Sequence, residues 1–218
     1  MARIKWVFFD IDNTLFDSQR LAAEARKNAV RAMIKAGLKA KPNEAFEKLM
    51  SIVKRYTSNY PEHFDRLVAE YDVEKELRAK IIAAGQGEYH NTKFRLLVPL
   101  EGVKETLRKL KRRGYSLGII TNGRAVKQWD KIIRLSVSEF FEPSTVIISE
   151  DAKAEKPQES IFTYALWKAK CPPHEAVMVG DKEEDMAAKH VGMHVIMVRR
   201  GQSFSEILKQ VERIEKGR

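Results

Sequence analysis

The 218-residue chain predicts an α/β protein, with a parallel sheet covered by helices on both faces and an all-helical insertion after the first strand. Three observations carry this. Residues 4–9 form an apolar run that stops at Asp10-Ile11-Asp12, as a buried strand does when it opens into a polar loop. From Leu96-Leu97-Val98-Pro99 onward, short apolar runs alternate with helical patterns, the signature of a parallel sheet with helical crossovers. Between these stretches, residues 17–94 carry helical periodicity and no convincing strand.

Taken in order, Asp17 or Ser18 is the candidate N-cap of a first long helix. Its apolar positions are Leu21, Ala25, Ala29, Ala32, Met33 and Ala36, and Gly37 is the candidate stop. A second helix follows Asn43 with Phe46, Leu49, Met50 and Val53 on one face, and Pro61 opens a third carrying Phe64, Leu67, Val68 and Tyr71. The fourth runs from about residue 73 through Leu77, Ile81 and Ile82, and Gly85 and Gly87 weaken it. Beyond residue 96 the pattern reads helix 102–113, strand 116–120, helix 124–134, strand 145–148, helix 158–169, strand 176–179, helix 183–191, strand 194–198 and helix 204–215. The sheet domain is therefore expected at 1–16 and 95–218, and the helical insertion at 17–94.

Composition narrows the setting. No run approaches the ~20 apolar residues of a membrane span, and no secretory leader is evident at the N-terminus. Cys171 is the only cysteine, so no internal disulfide forms, which fits a cytoplasmic location. Forty Lys and Arg against thirty Asp and Glu give a net charge of +10, which favours anionic partners. The basic residues are spread along the chain without interleaved aromatics, and the densest cluster, 108–113, ends a helix where cations suit the dipole. That pattern disfavours specific nucleic-acid binding and favours small phosphorylated molecules. The oligomeric state is left open between monomer and homodimer.

Four apolar strands end in reactive side chains: Asp10 and Asp12; Thr121-Asn122-Gly123; Ser149-Glu150 followed by Lys156; and Gly180-Asp181 through Glu184-Asp185. In a parallel sheet these ends share one edge, where α/β proteins bind ligands. Each cluster alone has a structural explanation as turn, cap or solvated lysine. Four such coincidences on one edge are a less economical reading than one site.

This combination closely resembles the haloacid dehalogenase superfamily of hydrolases across the whole chain. The matching motifs are Asp10 to Thr14, Thr121, Lys156 and Gly180 to Asp185, in that order, and a helical insertion between the first two is similar to the C1-cap subgroup. The resemblance implies a Rossmann-like core, a cap that opens and closes over the site, and an Mg²⁺-dependent phosphatase acting on a small phosphorylated metabolite. It makes Asp10 the nucleophile that forms an aspartyl-phosphate. Asp12 becomes the general acid and then the general base. Asp10, Asp181 and the Asp12 main-chain carbonyl hold Mg²⁺ directly, and Asp185 holds a metal-bound water, with Glu184 adjacent and able to share that last role. The Thr121 hydroxyl, the Asn122 and Gly123 main-chain amides and Lys156 bind the phosphate, and Lys156 also favours the ionised form of Asp10. Thr14 supports the loop.

The dehalogenases of this cap type lack an acid at the position of Asp12, since halide leaves without a proton, so its presence favours phosphatase. A phosphosugar mutase and a non-catalytic nucleic-acid or protein-binding module are the rival readings. In the cap, Lys54, Arg55, Tyr56, Tyr60 and His63 are candidate substrate contacts. Arg124 is poised between a second anion contact and a solvated helix start. Trp129 and Trp167 are assigned to core packing.

Overall fold

The computed structural model describes residues 3–57 and 60–217. Two compact units divide the chain, one of Met1–Asp17 with Leu97–Arg218 and one of Ser18–Leu96. In chain order the elements are β1 (Trp6–Phe9), α1 (Ser18–Ala36), α2 (Pro42–Tyr56), α3 (His63–Ala69), α4 (Lys75–Leu96), α5 (Val103–Arg112), β2 (Ser116–Thr121) and α6 (Ala125–Arg134). Then follow β3 (Val146–Ile148), α7 (Ser149–Ala152), α8 (Glu159–Ala169), β4 (Ala176–Gly180), α9 (Glu183–Met186), β5 (His194–Met197) and α10 (Glu206–Glu215).

The first unit is a five-stranded sheet in the order β3-β2-β1-β4-β5. Every neighbouring pair is parallel. With β1 at the centre, Val7, Phe8 and Phe9 are all fully buried, which is why the opening run is apolar without alternation. Successive side chains still leave on opposite faces. Phe8, Ile120 and Met178 pack into one cluster with Ile161, Phe162 and Ala165 of α8. Phe9 stacks on Phe204 at 6.0 Å and meets Phe141 edge-on at 6.4 Å. Register sets Phe9, the last residue of β1, opposite both Ile119 and Val179, so β2 runs two residues further and β4 one.

The alternating pattern after residue 96 thus folds as its period indicates. Two elements differ from it. The helix expected over 183–191 is a single α turn, α9, followed by a 3₁₀ stretch, Ala187–Val191. A short helical turn, α7, also follows β3 directly. Trp167 is a correction: it is 68% exposed and stacks on Tyr164 at 5.7 Å rather than entering the core. The inward face of α8 is already filled by Ile161, Phe162, Ala165 and Leu166, and the residue after Leu166 turns ~100° away from that face. Cys171 is buried, and burial pushes its thiol up to about 11, leaving an inert packing residue.

The second unit is helical throughout its assigned elements. Ala29, Val30 and Met33 of α1 pack with Leu49, Phe64, Leu67 and Ile81 in one core. Gly85 and Gly87 do not interrupt α4, which runs unbroken for 22 residues. At Gly85 a Cβ would lie 2.7 Å from Met33 Cγ, so the glycine admits close approach of α1 at the expense of helix propensity. Tyr56, Tyr60 and His63 form one aromatic cluster, with ring centroids 4.8 Å and 5.5 Å apart in succession. Arg66, which the sequence did not single out, joins it by donating from Nε to the Tyr60 hydroxyl at 3.2 Å. His63 Nε2 lies 2.8 Å from the Thr57 carbonyl, and burial pulls its pKa down.

Candidate active site

The carboxyl ends of four strands bring Asp10, Thr121, Lys156 and Asp181 to one edge. Asp10 follows β1 directly, and its amide donates to the Val179 carbonyl at 2.9 Å, so the residue is fixed by the sheet while its side chain points past it. The chain then turns: the Leu15 amide returns to the Ile11 carbonyl at 3.0 Å, and Asn13 takes a positive φ of 57°. Asparagine is among the few residues other than glycine that tolerate this conformation.

The centre of the site is a buried charge cluster. Lys156 Nζ donates to Asp10 Oδ1 at 2.9 Å and to Asp185 Oδ1 at 2.6 Å. These groups are nearly sealed from solvent, Lys156 at 2%, Asp10 at 3% and Asp185 at 0% exposure. Burying an ion without a partner costs several kcal/mol, roughly, so one ammonium shared by two carboxylates leaves a negative charge to be offset. Burial drives the Asp10 carboxyl above its usual range; the Lys156 ammonium opposes this, and Asp185 reinforces it. The expected effect of Lys156 on Asp10 is therefore present but outweighed by desolvation. Lys156 is itself held above the usual lysine range: burial pulls it down, and the two carboxylates more than restore it.

A third carboxylate completes the cluster. Oxygens of Asp10, Asp181 and Asp185 lie within 4.8 Å of one another. Asp181 Oδ1 is buried with no hydrogen-bond partner among the described residues. Burial raises the Asp181 pKa, while a hydrogen bond from the Asn13 side chain lowers it. Three hard oxygen donors, one of them unsatisfied, fit a divalent cation such as Mg²⁺. Glu184 lies outside this group and sits 3.5 Å from the Lys182 ammonium. Asp185 is pinned by the Lys182 amide, which donates to Oδ2 at 3.1 Å. Gly180 makes room for it, since a Cβ there would lie 2.2 Å from Asp185 Oδ2.

Around this centre several of the residues named from the sequence already have protein partners. The Asn122 side chain is spent on the backbone of Lys156, donating to its carbonyl at 2.9 Å and accepting from its amide at 2.8 Å. The Gly123 amide donates to the Ser149 hydroxyl at 2.9 Å. Arg124 lies 3.7 Å from Glu150 and is mostly exposed. Thr14 is fully buried, and its hydroxyl has no partner among the described residues.

Two residues were missed, both on the inward side of α6. Lys131 Nζ donates to Asp12 Oδ2 at 2.6 Å, with about a quarter of each side chain exposed. Gln128 is buried and donates from Nε2 to Thr121 Oγ1 at 2.9 Å and to the Asn122 carbonyl at 2.6 Å. Their spacing of three residues, starting five after Asn122-Gly123, was the available signal. In a helix rich in exposed charge it reads as a solvated face.

Comparison with known proteins accords with this geometry. Residues 7–198 match the family model of the haloacid dehalogenase-like hydrolases. The chain is 44% identical over 203 residues to the glyceraldehyde 3-phosphate phosphatase of Pyrococcus furiosus, covering 92% of this chain and 83% of that one. It is 45% identical over 202 residues to the enzyme of the same name from Methanopyrus kandleri, covering 91% and 85%. Among solved structures, a haloacid dehalogenase-type phosphatase from Thermococcus onnurineus superposes with a TM-score of 0.61 at 25% identity, covering 92% of this chain and 88% of that one. The chain therefore belongs to the haloacid dehalogenase-like hydrolases, in their phosphatase branch.

Proposed function

We propose that the protein is an Mg²⁺-dependent phosphatase that hydrolyses a small phosphorylated metabolite through an aspartyl-phosphate on Asp10. Triose phosphates are the substrate class to try first, given the names of the relatives. The observation that carries the reading is the buried grouping of Asp10, Lys156 and Asp185, with the unsatisfied Asp181 oxygen beside it. A cytoplasmic setting is part of the proposal and rests on the lone, buried Cys171.

In this reading Lys156 holds one Asp10 oxygen and leaves the other to attack phosphorus. The bond from phosphorus to the departing alcohol breaks as Asp12 gives that alcohol a proton. Asp12 then takes a proton from water, which attacks phosphorus and releases Asp10. Lys131 holds Asp12 Oδ2 and leaves the other carboxylate oxygen for these transfers, and the partly exposed pair contributes about 1 kcal/mol or less. Asp10, Asp181, Asp185 and the Asp12 carbonyl would hold Mg²⁺, which when bound supplies positive charge against the phosphate oxygens. Thr121 and Lys156 donate to the remaining oxygens.

The test is phosphate release from a panel of phosphorylated metabolites, glyceraldehyde 3-phosphate included, with Mg²⁺ and with chelator. Release should require Mg²⁺. Asp10→Asn should lower it at least about 10³-fold without lowering the melting temperature, because the substitution removes one of two carboxylates crowded on a single ammonium. Metal-independent release, or isomerised product without free phosphate, would contradict the proposal.

A further inference from the structure

We infer that Gln128 is a positioning residue that commits the Thr121 hydroxyl to donating toward the substrate's phosphate. The inference rests on the phosphatase reading above. Gln128 is 2% exposed, and its carboxamide reaches two acceptors at once, Thr121 Oγ1 at 2.9 Å and the Asn122 carbonyl at 2.6 Å. The second contact sets the orientation of the amide. A carbonyl oxygen has no proton to give, so at that distance only the NH₂ end of Gln128 fits, and a flipped amide would set two oxygens against each other. Both amide hydrogens are then used, one on each acceptor. The Thr121 oxygen accepts, and its own proton is left for another partner.

No described protein group takes that proton. Thr121 is buried at the end of β2, at the strand edge that carries Asp10 and Asp181. A ligand phosphate oxygen is the acceptor this arrangement lacks. A hydroxyl free to rotate would divide its time between donating to the protein and donating to the ligand; one already accepting from Gln128 has that choice removed. This is preorganisation of a donor aimed at developing charge.

A packing role alone does not account for the residue. Gln128 Oε1 is buried and has no hydrogen-bond partner among the described residues. An orphaned buried oxygen is destabilising, a cost that a leucine or methionine at the same place would avoid. The amide is kept for what its nitrogen does. Through the Asn122 carbonyl it also steadies the residue whose side chain clasps the Lys156 backbone.

A double-mutant cycle with Thr121→Val, Gln128→Met and the pair separates this from a structural role. The readouts are KM for the best substrate, the inhibition constant of inorganic phosphate and the melting temperature. Gln128→Met should raise KM and the phosphate inhibition constant on the order of tenfold, the loss of one well-placed hydrogen bond. In the Thr121→Val background the same change should add less than about twofold, because the donor it orients is already gone. Multiplying losses, or unchanged phosphate constants with a lowered melting temperature, would overturn the inference.

If Gln128→Met fails to fold, Gln128→Glu keeps the shape but offers only acceptors, and phosphate affinity should fall at least as far. Unchanged affinity in that variant would equally overturn the inference. If the wild type hydrolyses nothing, the phosphatase reading fails by itself, and the cycle is read instead by calorimetric titration of inorganic phosphate with Mg²⁺. Coupled losses there uphold the role of Gln128, and additive losses or no phosphate binding by the wild type refute it.

Discussion

At the scale of single residues, most of the site is a problem of charge. Asp10 and Asp185 share the Lys156 ammonium in a volume closed to solvent, and Asp181 adds a third carboxylate with an idle oxygen. A cation against these oxygens would act in the same direction as the ammonium on all three. Asp12 is different in kind, being partly solvated and paired with Lys131. That pair restrains the rotamers of Asp12 without burying it. Lys131→Met should therefore lower kcat by about threefold to tenfold, in keeping with the ~1 kcal/mol scale of such a pair, and leave KM and the melting temperature nearly unchanged. Steady-state kinetics check this, and an undiminished kcat would free Asp12 from any dependence on Lys131.

The residues legible in the sequence were those whose chemistry stands at the end of an apolar run. Asp10 and Asp181 each follow, and Thr121 ends, a strand that announces itself, and Lys156 follows the strand ending in Ile148 at a short remove. Gln128, Lys131 and Asn13 have no such frame. Their roles depend on which side of α6 faces the sheet and on one left-handed backbone angle, both decided by packing after the strands are laid down. For the same reason nothing in the sequence showed that the Asn122 side chain belongs to the Lys156 backbone.

At the scale of elements, the loop from β4 to α9 shows how tightly the site is built. Gly180 ends the strand, Asp181 turns into the edge, and Asp185 folds back over Gly180 to reach both the Lys182 amide and Lys156. A methyl group on residue 180 would collide with Asp185 Oδ2. Gly180→Ala should thus displace Asp185, raise the Mg²⁺ concentration needed for half-maximal activity, and destabilise the fold by about 1–3 kcal/mol. Metal titration of activity together with thermal unfolding measures both effects; an unchanged Mg²⁺ requirement would remove Asp185 from the cation site. The glycine read as a weakness in α4 has a related explanation, since Gly85 is where Met33 of α1 comes closest. Propensity named the residue, and close packing explains why the helix survives it.

For the whole molecule, the sheet's far end is tied to its last helix. Glu215 of α10 accepts from the Ile4 amide at 3.1 Å and from the Tyr115 hydroxyl at 2.8 Å, joining the entrances of β1 and β2 to the C-terminal helix. Burial, with the Glu215 carboxylate adding to it, pushes the Tyr115 phenol up to about 12. An unfolded tyrosine ionises near 10, roughly, so the folded state keeps a proton that the unfolded state gives up. The stabilisation is complete below pH ~10 and disappears as pH rises toward ~12. Tyr115→Phe should unfold more easily at neutral pH yet lose stability less steeply across that alkaline window, as chemical denaturation at several pH values would show. Parallel curves for the two proteins would mean that the phenol titrates alike in both states.

In the proposed reaction the four strand ends make one phosphoryl-transfer site, and Asp10 accepts the phosphoryl group. Acid quenching during turnover, borohydride reduction and peptide mapping by mass spectrometry test it most directly, because reduction converts an aspartyl-phosphate to homoserine. Homoserine is expected at position 10, dependent on both substrate and Mg²⁺ and absent from Asp10→Asn. Phosphate release by the wild type with no modification at position 10, or with the modification on another carboxylate, would contradict it.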